Sequence, residues 1–113
     1  MRELGACEHR GAWVVTLPPR LLADTEEPLL AAVRAGLARS SRVVVLDMTC
    51  VALMDTTGIG ALVSALHLAC EAGARVVLAG ASGRPRILLD RVHLGRHAQI
   101  HDSLEDALKD AAP

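Results

Sequence analysis

The chain has 113 residues and a mass of 11.9 kDa, which is the size of one domain. Its 12 Lys and Arg residues are balanced by 13 Asp and Glu residues, and the resulting net charge of -1 argues against a nucleic-acid-binding protein, which needs a concentrated basic surface. Trp13 is the only aromatic residue, so base-stacking platforms and aromatic ligand cages, which need several rings, are excluded as well.

The first half of the chain predicts two strands, one helix and a third strand. Residues 11–17 form a short β-branched segment that the two following prolines would end, and a strand within residues 4–9 would pair with it. Asp24 or Thr25 would cap a helix whose apolar residues recur at helical spacing: Leu29, Leu30, Val33 and Leu37. The continuous apolar run 42–47 is typical of a strand buried on both faces.

The second half continues this alternation. A helix is predicted over residues 57–71, and a second buried strand over residues 74–80. A third helix would extend over residues 82–92, with Ser82 as its cap. Residues 97–101 form a short, polar edge strand, and a last helix follows from residue 102 or 103, with an inner face made of Leu104, Ala107 and Leu108.

This order of elements predicts an α/β fold. The central sheet is expected to be mixed but mostly parallel, with about four or five strands and about four helices. The chain contains no internal repeat, linker or low-complexity stretch, so residues 1–113 are expected to form a single domain with a core of about residues 10–110. Residues 110–113 are expected to be loose.

The lack of a recognisable targeting segment and the pattern of cysteines predict a cytoplasmic protein. No apolar run reaches the roughly 18 residues of a membrane span, and the N-terminus has no apolar stretch typical of a signal peptide. Cys7, Cys50 and Cys70 are odd in number and widely spaced, which favours reduced thiols over a disulfide frame or a metal site. Cys50 and Cys70 lie among apolar residues and are expected to behave as small buried hydrophobes.

The most informative segment lies between the strand 42–47 and the helix 57–71. Asp55, Thr56 and Thr57 place one carboxylate and two hydroxyls at a helix N-terminus, and Gly58 and Gly60 are expected to leave the backbone there uncovered. Such a helix start tolerates added negative charge. Thr56 is the expected helix cap, and Asp47, at the end of the preceding strand, is expected to bond the loop backbone.

The same segment carries a resemblance to a known family. Residues 46–48 (Leu-Asp-Met) followed by residues 54–60 (Met-Asp-Thr-Thr-Gly-Ile-Gly) resemble the signature of STAS domains, and more narrowly that of the bacterial anti-sigma-factor antagonists. The resemblance covers about residues 10–110. It implies that Thr57 is the phosphoacceptor and that the partner-binding surface consists of Asp55, Thr56, Thr57, Gly58 and Ile59, with Asp47 as structural support.

The resemblance also implies how such a protein works. It would bind an anti-sigma factor and so release a sigma factor, in pathways such as stress response or sporulation. The anti-sigma factor would be an ATP-dependent serine/threonine kinase that phosphorylates Thr57 and ends the interaction, and a phosphatase would reset the switch. ATP would belong to the kinase, so this chain would be no enzyme and would need no cofactor or metal, and it would bind neither nucleic acid nor membrane.

Two departures from the family pattern stand out. The acceptor is commonly serine in the antagonists, whereas here it is Thr57, whose methyl group stiffens χ1 and changes the fit to a kinase. The segment 18–23 lacks the glycine-and-aspartate turn that is often found there in the family.

Several structural alternatives apply to the same residues. Thr56 and Thr57 could serve only as a helix cap. Asp47 could be the phosphorylated aspartate of a receiver domain, but the first strand lacks the acidic pair that would bind Mg²⁺, and the only lysine, Lys109, lies in the last helix. Other candidate features are a histidine series, a fragment of a dinucleotide fingerprint and a basic cluster: His93, His97 and His101; Gly58 to Gly60; and Arg84, Arg86, Arg91 and Arg96.

Two other functions are compatible with the sequence. The chain could be a STAS subunit of a larger stress-sensing or lipid-transport assembly, without a phosphorylation cycle. It could also be an enzyme acting through the Asp and Thr residues of the loop, although the sequence places no base beside a nucleophile.

Overall fold

A five-stranded sheet forms the centre of the computed structural model, which describes residues 3–111. The elements in chain order are β1 (Ala6–His9), β2 (Ala12–Thr16), β3 (Arg20–Leu21), α1 (Glu26–Ala38), β4 (Val43–Asp47), β5 (Leu53–Met54), α2 (Thr56–Glu71), β6 (Arg75–Ala79), α3 (Gly83–Arg91), β7 (Gln99–His101) and α4 (Leu104–Ala111). Short 3-10 turns at Ala23–Thr25 and Leu94–Arg96 precede α1 and follow α3.

The main sheet has the strand order β1-β2-β4-β6-β7. Only β1 is antiparallel to its neighbour, and the other three pairings are parallel. The β1–β2 turn has positive φ at Arg10 (51°) and Gly11 (86°), as a two-residue hairpin with the right twist requires. The predicted α/β fold with a mixed, mostly parallel sheet and four helices is therefore confirmed.

A second sheet of two residues per strand was not predicted. β3 pairs with β5 in parallel, with Arg20 opposite Leu53 and Leu21 opposite Met54. This small sheet lies directly before α2, because Met54 is only two residues ahead of Thr56. It therefore positions the start of that helix.

The two faces of the main sheet are covered unequally. Along β4, Val44 and Leu46 belong to the larger core cluster, which also takes in α1, α2 and α3, whereas Val45 belongs to a smaller cluster on the other face. Successive residues of a strand point to opposite faces, so a strand buried on both sides is uniformly apolar. The prediction that the run 42–47 is such a strand is confirmed for Val44, Val45 and Leu46, each fully buried.

Trp13 fixes α1 to the larger face. Its indole Nε1 donates a hydrogen bond of 2.8 Å to the carbonyl of Ala32, and the Arg39 guanidinium lies 5.4 Å from the ring centroid. A Cβ on Gly36 would lie 2.4 Å from the ring, so only glycine lets the helix approach this closely. The single aromatic residue thus packs against one helix rather than lining a ligand site.

Two sequence expectations are wrong. Cys50 and Cys70 are exposed, as is Cys7, because apolar neighbours in sequence need not share a buried face: Cys50 lies in the loop after β4 and Cys70 on the solvent side of α2. The C-terminal segment expected to be loose is helical through Ala111, and residues 112–113 lie outside the described part of the chain.

Candidate functional site

Asp55 forms the cap of α2. Its backbone is extended (φ -122°, ψ -170°), and its Oδ1 accepts a hydrogen bond of 3.0 Å from the Gly58 N–H, one of the amides that a helix start leaves unpaired. Thr56 is the first residue of the helix instead. The expectation that Thr56 is the cap is therefore wrong, because the helix begins one residue earlier than a Thr56 cap would require.

The Thr57 hydroxyl is exposed and points back to the cap. Thr57 Oγ1 donates to Asp55 Oδ1 at 2.5 Å, so one carboxylate oxygen serves both the hydroxyl and the Gly58 amide. These two hydrogen bonds, that of Thr57 first, lower the pKa of Asp55 below its ordinary value of 3.8. At neutral pH the site therefore presents a carboxylate beside an accessible hydroxyl.

Gly58 is buried, contrary to the expectation of uncovered backbone. A Cβ at this position would lie 2.2 Å from the Leu21 carbonyl oxygen and 2.9 Å from Met54 Cγ, so the first turn of α2 rests on the β3–β5 sheet. Gly60 differs, since it is exposed and has no neighbour within 4 Å of a built Cβ. Gly58 thus serves packing, and only Gly60 lies on open surface.

Ile59 connects the helix start to a surface groove. It is half-buried and lines a cavity of about 370 Å³ between α2 and the end of α3, together with Val63, Leu66, His67, Cys70, Val92, Leu94 and His97. Among the described residues, three large apolar side chains are exposed by 41–53%, and the last of them lines this cavity: Leu53, Ile87 and Val92. Ile59 thus connects the start of α2 with this largely apolar cavity.

Asp47 organises the loop that leads to β5. Its side chain is buried, and its Oδ1 accepts hydrogen bonds from the Thr49 N–H at 3.0 Å and from the Thr49 hydroxyl at 2.8 Å. Thr49 in turn lies against Gly80, where a Cβ would be 2.3 Å from the threonine methyl. Asp47 therefore contacts Thr49, while Asp55 and Thr57 form a separate pair.

The histidine series does not converge. His93 and His97 flank the 3-10 turn Leu94–Arg96, whereas His101 lies in β7 with its Nε2 3.2 Å from Asp110 Oδ2. Within residues 3–111, no group of three or more His, Cys, Asp or Glu side chains is arranged to hold a metal ion. Over the same residues, no helix combines the length and apolar character of a membrane span.

The basic cluster on α3 is partly structural. Arg86 makes ion pairs with Asp90 at 3.3 Å and with Asp102 at 3.0 Å. The pair with Asp90 lies within α3, and the pair with Asp102 links α3 to the segment before α4. Arg84, Arg91 and Arg96 are exposed.

Two supports of the site could not be found from sequence. Leu21 and Met54 form the floor beneath Gly58, and a two-residue strand gives no periodic signal. The Ser64 hydroxyl donates to Glu26 Oε1 at 2.9 Å, which ties the middle of α2 to the start of α1. The only sequence feature that indicated close packing here was Gly58, a glycine in the first turn of a helix.

The family is shown by comparison with known proteins. The STAS domain family model matches residues 5–107, so the chain belongs to the STAS domain family, as the motif around Thr57 had indicated. No curated protein sequence matches the chain.

Solved structures share the fold at low sequence identity. An anti-sigma-factor antagonist (STAS) domain protein from Planctomyces limnophilus is 19% identical, with a TM-score of 0.82 over 99% of each chain. The anti-sigma factor antagonist SpoIIAA of Bacillus, known in unphosphorylated and phosphorylated forms, is 16% identical; for the unphosphorylated form the TM-score is 0.70 over 95% of this chain and 94% of that one. A sulfate transporter family protein from Wolinella succinogenes is 20% identical, with a TM-score of 0.81 over 93% and 88%.

Proposed function

We propose that the chain is a cytoplasmic anti-sigma-factor antagonist, switched by phosphorylation of Thr57. The observation that carries this proposal is the exposed Thr57 hydroxyl, held by Asp55 at the start of a helix that is packed on the β3–β5 sheet. A protein kinase needs a hydroxyl that is accessible and defined in position, and this one is both. SpoIIAA, which shares the fold, exists in a phosphorylated form.

The partner would be an anti-sigma factor that is itself a serine/threonine kinase and binds ATP. In the transfer, Thr57 Oγ1 bonds to the γ-phosphorus of ATP, the bond from that phosphorus to the bridging oxygen breaks, and ADP leaves with the electron pair. The hydroxyl proton passes to a base. This chain is then the substrate of the reaction and not its catalyst, and a separate phosphatase removes the phosphate by hydrolysis.

The effect of the phosphate follows from its charge. It adds about -1.5 to -2 charges at a surface where the unphosphorylated protein presents hydroxyls and Ile59. A partner that packs there would have to bury the dianion, and an unpaired buried charge costs several kcal/mol. Because each 1.4 kcal/mol is about tenfold in affinity, one phosphate weakens binding by roughly 100-fold or more.

The test uses the purified protein and a candidate anti-sigma kinase encoded near its gene. With ATP, mass spectrometry should locate one phosphate on Thr57, and Thr57→Ala should abolish it while Thr57→Ser restores it. Thr57→Glu should weaken binding to the kinase. Ser82→Glu, which adds the same charge at the exposed start of α3 outside the expected partner-binding surface, is the matched control. Phosphate at another residue, together with wild-type binding by Thr57→Ala and Thr57→Glu, would contradict the proposal.

A second candidate is a STAS subunit in a larger assembly without phosphorylation. It is favoured by the similarity to the sulfate transporter family protein and by the exposed apolar side chains Leu53, Ile87 and Val92, which a constant partner could cover. A stable complex that is unaffected by Thr57→Glu but lost with Val92→Asp would support this candidate over the switch.

A further inference from the structure

We infer that phosphate on Thr57 displaces the Asp55 carboxylate from the cap of α2, so that the switch alters the helix start as well as adding charge. This inference rests on the proposed function for its biological meaning. Its structural basis is the single oxygen Asp55 Oδ1, which accepts hydrogen bonds from both Thr57 Oγ1 and the Gly58 N–H.

Phosphorylation removes one of these two hydrogen bonds directly. As an ester oxygen, Thr57 Oγ1 has no proton to donate, so its bond to Asp55 is lost. Because Oγ1 lies 2.5 Å from Asp55 Oδ1, the phosphate would also sit beside the carboxylate. Two anionic groups at that separation repel each other, and this repulsion opposes the attraction of the carboxylate for the Gly58 N–H.

The phosphate also competes for the start of the helix, without restoring the hydrogen bond that Asp55 makes with the Gly58 N–H. Anions bind at helix N-termini through free N–H groups and the helix dipole, and Thr57 is the second residue of α2. The phosphate therefore competes with Asp55 for the same end of the helix, and it carries the larger charge. The Asp55 side chain then turns to solvent, and a docking partner meets a displaced carboxylate in addition to the phosphate.

The displacement should also loosen the small sheet beneath the helix. Gly58, whose amide Asp55 holds, packs against the Leu21 carbonyl and Met54. A movement of the first turn is transmitted to these residues by direct contact, since no side chain separates them from Gly58. Exchange of the amides in β3 and β5 should therefore rise together with that of Gly58.

The experiment needs no partner. Phosphothreonine is installed at position 57 by semisynthesis, in the wild-type chain and in Asp55→Asn, where the amide remains a good cap but carries no charge. In the wild type we expect the Tm to fall by about 4 °C and the Gly58 amide to exchange faster. In Asp55→Asn, phosphorylation should leave the Tm unchanged or raise it.

Phosphothreonine at position 56 is the control, since that residue leaves the Thr57–Asp55 hydrogen bond in place and should leave the Gly58 amide protected. An equal change in Tm in both backgrounds, with unchanged exchange at Gly58, would overturn the inference. Failure of a kinase to act on Thr57 would instead contradict the proposed function, and it would not change the Tm and exchange results for the semisynthetic proteins.

Discussion

The starts of α2 and α3 follow strands of different sheets, β5 and β6, and they are built differently. At α2, Asp55 caps the helix through a side-chain hydrogen bond, and Gly58 is wedged against the backbone of Leu21. At α3, Ser82 makes no side-chain cap bond, and Gly83, at φ +58°, has open space where a Cβ would be. Side-chain contacts thus fix the first helix start, whereas backbone conformation defines the second. Both present an exposed hydroxyl, but only that of Thr57 is held by a side-chain hydrogen bond.

The largest expected effect comes from filling the packed side of α2. Gly58→Ala would force a methyl group to 2.2 Å from the Leu21 carbonyl oxygen, and we expect a loss of about 3 kcal/mol in the free energy of unfolding. Gly60→Ala, in open space on the same helix, should stabilise by roughly 0.5–1 kcal/mol. Chemical denaturation followed by Trp13 fluorescence measures both, and equal effects would refute the packing of α2 on β3.

A smaller loss is expected at α3, through conformation alone. Gly83→Ala places an L side chain at φ +58° without a steric contact, which costs about 1–2 kcal/mol. Gly83→Asn is the control, because asparagine visits this region more readily and should lose less. If both variants are as stable as wild type, the left-handed conformation at Gly83 is incorrect.

The Asp55 cap predicts a pH dependence with a definite sign. Hydrogen bonds from Thr57 and Gly58 lower the pKa of Asp55 in the folded state, so its contribution to stability is present above its ordinary pKa of 3.8 and is lost as the pH falls through the folded value. Between pH 6 and pH 3 the Tm of the wild type should fall further than the Tm of Asp55→Asn, because the asparagine side chain does not titrate. Parallel Tm curves for the two proteins would show that Asp55 does not cap the helix.

The smallest effect is expected at the other cap. Ser82→Ala removes a hydroxyl that makes no capping hydrogen bond, so the free energy of unfolding should change by less than about 0.5 kcal/mol. A loss as large as that of Asp55→Ala at neutral pH would mean that both helix starts depend on side-chain caps.

Long, regular elements were predictable from the sequence because they repeat a pattern. The buried strands β4 and β6 and the helix α2 extend within one residue of the predicted limits at each end. Strands β3 and β5 have two residues each, which is too short for any alternation to be visible. These strands form only because the loop after β4 brings β5 beside β3, and that contact is set by the tertiary structure.

At the site, the sequence predicted which residues take part, but it did not predict which of them caps the helix and which packs beneath it. Asp and Thr are both good caps, so composition could not decide between Asp55 and Thr56, and only the extended backbone of Asp55 does. The burial of Gly58 depends on Leu21, which lies far away in sequence. The role of Thr57 as an acceptor of phosphate stays a prediction.

The smaller face of the sheet depends on one short segment. A row of paired valines, Val14, Val45 and Val77, crosses the three central strands, and the only buried helical residue described beside it is Ala107 of the eight-residue α4. If α4 separates from the sheet, this β-branched strip becomes exposed to solvent and prone to aggregation, while the opposite face of the sheet stays packed. Aggregation of the purified protein during storage should therefore depend on how firmly α4 packs against the sheet, independently of the Thr57 site.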